Sequence, residues 1–209
     1  MRTLALSDEI LMKVDKAARY IGGEVNSVMK DKNDVDIRFA MCFPDVYEIG
    51  MSNLGMMILY NMFNEREDVW CERVFSPWMD LDKIMREEHI PLFALESQEP
   101  VKEFDFLGIT LGYEMCYTNV LQVLDLSHVS LLAKDRKEDD PIVIGGGACA
   151  YNPEPIAEFF ICFILVKVRL SMILCLMHIR QIRQQAAPEQ TSCLQLPRSP
   201  EFTFPLYTM

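Results

Sequence analysis

Histidine is scarce in this chain of 209 residues, with three in all, at positions 89, 128 and 178. None stands at zinc-site spacing from a cysteine, and no Ser-His-Asp set can be nominated, which removes the usual signatures of metal and nucleophilic hydrolases. The seven cysteines, at 42, 71, 116, 149, 162, 175 and 193, contain no close pair. An odd, dispersed set argues against a disulfide framework. The first residues, MRTLALSDEILMKVDK, lack the long apolar core of a secretory leader. Together these features predict a reducing, cytoplasmic setting. Basic charge is also short, with 20 Lys and Arg against 31 Asp and Glu and a net charge of −11. Such a chain repels phosphate backbones, so no nucleic-acid partner is expected. Long uncharged apolar runs are missing too. The stretch 161–176 carries Lys167 and Arg169 in its middle, and no membrane span is expected.

Glycine and aspartate are distributed unevenly. Residues 161–209 contain neither, although loops in an α/β protein use both for positive φ and helix capping. Residues 1–160 carry a net charge of −14 (15 basic, 29 acidic) and residues 161–209 one of +3 (five basic, two acidic). The composition thus divides the chain into an N-terminal helical arm (1–35), an α/β domain (36–160) and a tail (161–209) whose design differs from the rest.

Within the first 160 residues, apolar periodicity alternates between strand and helix. Ser7 caps an expected helix running to Tyr20, ended by Gly22 and Gly23. Residues 36–43 alternate as a strand, and 53–64 form a helix expected to bury Leu54, Met57, Ile58 and Met62. A strand over 69–75 follows, then a helix opened by Asp80, a short strand over 91–95 and another over 106–111. A helix from Thr118 or Asn119 and a buried strand over 141–144 complete the pattern. This alternation predicts a doubly wound, mostly parallel sheet of Rossmann-like or flavodoxin-like form, incomplete at its C-terminal end.

In such sheets ligands sit outside the carboxyl ends of the strands. Three loops leave those ends. The first offers Pro44, Asp45, Tyr47, Glu48, Ser52 and Asn53, with Ser52 or Asn53 placed to cap the next helix. The second offers Gly112 and Tyr113. The third offers Gly145, Gly146 and Gly147, which let a backbone approach a ligand closely, although they match neither a P-loop nor a G-x-G-x-x-G fingerprint. These residues are the candidate binding site. No residue is assigned a catalytic or metal-binding role.

The segments RYIGGEVNSVMKD, FPDVYEIGMSNLGMMILY, ERVFSPWMDLDKIMREEHIPLFALES, FDFLGITLGYEMCYTNVLQVLDL and IVIGGGACAYNPEPIAEFF, in order from about residue 17 to Phe160, resemble one family. It is the N-terminal part of radical S-adenosylmethionine (radical SAM) proteins whose leading region is a cobalamin-binding-like Rossmann domain. The shared features are Pro44 with Leu54-Gly55-Met56-Met57, Gly108-Ile109-Thr110, and Gly145-Gly146. The resemblance implies a downstream radical SAM domain as partner, holding a four-iron, four-sulfur cluster on a C-x-x-x-C-x-x-C triplet. This chain has no such triplet. Neither the cluster nor S-adenosylmethionine is therefore expected in it, and it is expected to be inactive alone. Cobalamin is the cofactor the resemblance implies for the domain. The D-x-H-x-x-G loop that supplies its lower ligand is missing, since Asp45 is followed by Val46-Tyr47. Members of the family continue after "EFF" with a strand and a "GEGE" turn, where this chain reads ICFILVKVRLS. Codons for 161–171 read one base earlier can spell MFYFGEGEVV. A single-base deletion after Phe160, leaving a truncated domain and a non-native tail, is the expectation. The alternative is a self-contained flavodoxin-like protein that binds a nucleotide or flavin.

Overall fold

The computed structural model describes residues 4–165. Five strands form one all-parallel sheet: β1 (Ile37–Phe43), β2 (Val69–Phe75), β3 (Phe106–Thr110), β4 (Ile142–Gly146) and β5 (Cys162–Ile164), in the order β2-β1-β3-β4-β5. The chain runs from β1 outward to β2, then crosses back over β1 to β3. The direction of winding reverses between β1 and β3, which makes that gap the topological switch point of a doubly wound α/β sheet.

Burial explains why the strands read as they do. Every residue of β1 and β2 is buried, as expected of parallel strands covered on both faces. Side chains alternate between two cores. Ile37, Phe39, Met41 and Phe43 face the helix α3 (Leu54–Asn64), where Phe39 stacks on Phe63 with ring centroids 4.7 Å apart. Ala40, Cys42, Leu107, Ile109 and Val143 face the other way, toward α4 (Met79–Glu88) and α5 (Tyr117–Leu126), which bury Leu81, Met85, Val120, Val123 and Leu124. Gly108 lies under the Phe39 ring, so a side chain there would drive the ring off the sheet.

The structure corrects four local expectations. Ser7 does cap a helix, accepting from the Ile10 amide, but α1 spans only Asp8–Leu11, and a separate turn covers Ala17–Arg19. One short helix buries Ile10, and the remaining apolar residues reach the core from irregular backbone. In α3 the buried residues are Met56, Tyr60 and Phe63, whereas Leu54 and Ile58 are exposed. The periodicity failed because this helix is apolar on both faces. The expected strand over 91–95 is a single bridge, Phe93 to Pro100, held by a tight turn. Finally, β5 lies beyond Phe160: it pairs with β4, and Phe163 packs on Phe160, so the change in composition does not mark the edge of the sheet. The remainder of the tail, from 166 on, lies outside the described residues. Among the described residues no helix is long and apolar enough to cross a membrane.

Candidate functional site

The loops after β1 and β3 meet across the switch point. Tyr113 donates its hydroxyl to Asp45 Oδ2 at 2.9 Å, and Asn119, in the first turn of α5, donates its side-chain amide to the Pro44 carbonyl at 2.9 Å. Asp45 Oδ1 accepts from the Val46 amide, and the Asp45 carbonyl accepts from the Ser76 amide at the end of β2. Asp45, through its carboxylate and its backbone carbonyl, thereby ties three strand ends together. The hydrogen bond to Asp45 raises the pKa of Tyr113. Pro44, Asp45 and Tyr113 thus lie together at the strand ends, with Gly112 beside Tyr113.

The other candidates are placed differently. In the short helix α2 (Tyr47–Met51), Tyr47 and Glu48 turn away from the switch point toward the N-terminal arm. Tyr47 donates to Glu24 Oε1 at 3.0 Å, and burial pushes its pKa up to about 12. Glu48 pairs with Arg19 at 2.9 Å and Lys16 at 3.2 Å, and the Arg19 hydrogen bond holds its carboxyl down to about 2. Asn53, not Ser52, caps α3: its side chain accepts from the Met56 amide at 2.9 Å, while the Ser52 hydroxyl donates back to the Ile49 carbonyl. The glycine turn closes on the chain itself. Gly147 has φ of +123°, and a Cβ there would lie 2.5 Å from the Leu111 carbonyl oxygen; Gly145 leaves room for the Phe163 ring. Leu111 donates to the Gly146 carbonyl and accepts from the Cys149 amide. Among these candidates, only Gly112 faces open space on its Cβ side.

A buried ionic hub, unforeseen in the sequence, stands at the β2 edge. Arg73 is fully buried. It donates from its backbone amide to Glu96 Oε2 at 2.7 Å and from Nε to Oε1 at 2.6 Å. Its terminal nitrogens reach Glu24, Asn26 and Ser27 of the arm, and its guanidinium lies 4.6 Å over the Tyr60 ring. On the opposite face Arg38 pairs with the fully buried Glu72 at 2.7 Å and with Glu99. Burial raises the Glu96 pKa to about 7 despite Arg73. The signal was present in the strand VWCERVF, where Glu72 and Arg73 interrupt an apolar run. A charged pair inside a doubly covered strand demands buried partners on both faces.

Beside the hub is a small cavity lined by Arg73, Tyr47, Tyr20, Phe75, Ser76 and Leu95 among others, with about 20 Å³ of free space. That is room for a water, not a nucleotide. Among the described residues no three His, Cys, Asp or Glu side chains are grouped to hold a metal ion. The five described cysteines are buried, and desolvation raises the pKa of Cys42, Cys71 and Cys116, which leaves those three inert thiols.

The strand order and strand-end loops therefore define a doubly wound, all-parallel α/β domain. A family model described as "Radical SAM proteins, N-terminal" matches residues 55–205, and the chain belongs to that family. The match passes Phe160 without stopping, as does the sheet. An uncharacterized protein of Methanocaldococcus jannaschii is 27% identical over 135 residues, covering 63% of this chain and 24% of the relative. The chain thus spans about a quarter of that relative's length. No solved structure matches.

Proposed function

We propose that this chain is the leading, non-catalytic domain of a radical SAM protein, whose reaction is carried out by polypeptide outside it. The observation that carries the reading is the family match in a sequence whose seven cysteines never form C-x-x-x-C-x-x-C. A radical SAM cluster needs three thiolates at one iron-sulfur site. Here five of the seven are dispersed through a packed core.

Nothing among the described residues supports cobalamin held through a protein histidine. The loop after β1 presents Asp45, Val46, Tyr47 and Glu48. His89 and His128 both follow helices, α4 and α5, that run antiparallel to the strands, so they lie at the opposite end of the sheet from that loop. Asp45 is already engaged with Tyr113 and Val46. We read the domain as one that keeps the parallel-sheet scaffold without that mode of ligation. A flavin or nucleotide is not favoured either, because the glycine turn packs on Leu111.

Two experiments test the reading. Sequencing the gene through and past codon 160 reveals whether a second frame, or the same frame continued, leads into a cysteine triplet; its absence in every frame sinks the proposal. Anaerobic reconstitution of the 209-residue protein with iron and sulfide is expected to leave it colourless, and a stoichiometric four-iron cluster would overturn it.

A further inference from the structure

We infer that residues 21–29 form a strap over the Arg73 hub, shut in mildly acid solution and released in mildly alkaline solution as the hub gains negative charge. The segment is anchored at both ends. Before it, the buried Tyr20 accepts from the Gln98 side-chain amide at its carbonyl, 3.1 Å, and from the Trp78 amide at its hydroxyl, 3.2 Å. After it, Lys30 donates to the carbonyls of Asn64, Arg66 and Val69. Gly22 and Gly23, with φ of +58° and +88°, turn the chain at the start of the strap in a way that other residues rarely adopt. Of its apolar side chains Val28 packs on the core, whereas Ile21, Val25 and Met29 are exposed. Polar contacts therefore hold most of the strap down. The Val28 amide donates to the Tyr60 hydroxyl at 2.7 Å and its carbonyl accepts from the Trp70 indole at 3.0 Å. Glu24, Asn26 and Ser27 share the terminal nitrogens of Arg73.

Arg73 serves two carboxylates unequally. Glu96 holds it at 2.6 and 2.7 Å, and Glu24 of the strap at 3.3 Å. The side chains of Arg73 and Glu96 are 0% exposed and that of Glu24 is 14% exposed, so Glu24 is the member able to move to water. Tyr60 faces Glu96 as well, which gives Glu96 a second route to the strap through Val28. With Glu96 protonated, one guanidinium balances Glu24 and the hub is neutral. With Glu96 ionised, the same guanidinium faces two carboxylates in a dry site, an excess that is relieved when Glu24 leaves. The neighbouring groups do not offset this charge. Glu72, on the opposite face, is held by Arg38 and the Ser97 amide, and Glu48, beyond Tyr47, is paired with Arg19 and Lys16. Burial pushes Cys71 of β2, Tyr47 of α2 and Tyr60 of α3 upward, so they keep their protons near neutrality. Burial also lifts Glu96 to about 7, and opening the strap rehydrates it, so rising pH favours the open form. Release uncovers the Arg73 guanidinium beside the cavity lined by Tyr20, Tyr47 and Ser76, at the carboxyl end of β2.

Amide hydrogen exchange on the 209-residue chain at pH 6 and pH 8, corrected for the intrinsic pH dependence of exchange, reads the strap directly. Protection of the Val28 amide is expected to fall about tenfold between the two, more than that of the β1 amides. E96Q removes the proton and is expected to give equal Val28 protection at both pH values. E24Q removes the carboxylate that leaves: the fall at Val28 shrinks, while the melting temperature still drops with pH because Glu96 remains. If E96Q does not fold, E24Q decides alone. Val28 protection that is constant with pH in the unmodified chain overturns the inference. A loss shared equally by the β1 amides overturns it too, since it assigns the effect to the whole domain. So does a fall in E24Q as large as in the parent, since Glu24 would then have no part in the release.

Discussion

At the scale of single residues, Arg73 carries the most consequence. A buried ion pair stabilises little against an apolar replacement of both partners, but removal of one partner strands the other charge. Arg73→Met is expected to cost about 3–5 kcal/mol at pH 7.5, read by urea denaturation. The loss shrinks at pH 5, where the abandoned Glu96 takes up a proton. Glu96 also sets a pH dependence in the unmodified protein. Its pKa is raised by burial from 4.5 to about 7, so between those values the folded protein holds a proton that the unfolded chain has released. Its contribution is complete below about 4.5 and gone above about 7, and melting temperature should fall as pH rises from 5 to 7.5. Glu96→Gln flattens that slope; an unchanged slope would assign the effect elsewhere. Glycine positions separate just as sharply. Gly147→Ala forces a side chain into positive φ against the Leu111 backbone, at a cost of roughly 1–3 kcal/mol from conformation alone. Gly112→Ala meets nothing within 4 Å and is expected to be near neutral.

At the scale of elements, the caps discriminate between readings that the sequence left open. Asn53→Ala removes the bond to the Met56 amide and is expected to cost about 1 kcal/mol in thermal or chemical melts, whereas Ser52→Ala leaves α3 capped and costs little. The strands were legible because doubly buried parallel strands are continuous apolar runs, and IRFAMCF, VWCERVF and IVIGG have few other uses. The face of α3 was not legible, since LGMMILYNMFN offers apolar residues in every direction and only packing decides between them. The arm misled for a different reason. Ile10, Val14 and Ala17 have helical spacing, yet they are drawn into one core by tertiary contacts from separate turns. Of the candidate loop residues, the placement of Pro44, Asp45, Gly112 and Tyr113 at strand ends was legible from the strand pattern alone. The roles of Tyr47, Glu48 and the glycine turn depended on partners distant in sequence, Glu24, Arg19 and Leu111, which no local pattern announces.

At the scale of the whole molecule, the arm completes the β2 edge of the domain. Val28 accepts from the Trp70 indole and its amide donates to Tyr60, while Lys30 donates to the carbonyls of Asn64, Arg66 and Val69 around the end of α3. These contacts, with the loop that sends Leu95 N–H to the Arg73 carbonyl, shield an edge strand that would otherwise present free backbone groups. A chain beginning at residue 31 is expected to lose cooperative unfolding and to be cleaved readily by protease, although every strand is intact. Retention of a sharp transition would show the arm to be an accessory.

The same hub fixes an order of events during synthesis. Glu24 leaves the ribosome 49 residues ahead of Arg73, and Glu96 follows 23 residues behind it. Until Glu96 emerges, β2 carries a guanidinium with half its counter-charge, and β1 has no neighbour on the side that β3 will fill. The nascent half-sheet is therefore expected to stay open until Glu96 emerges, and substitutions at Glu96 should lower the yield of folded protein from translation more than they lower the stability of the finished molecule.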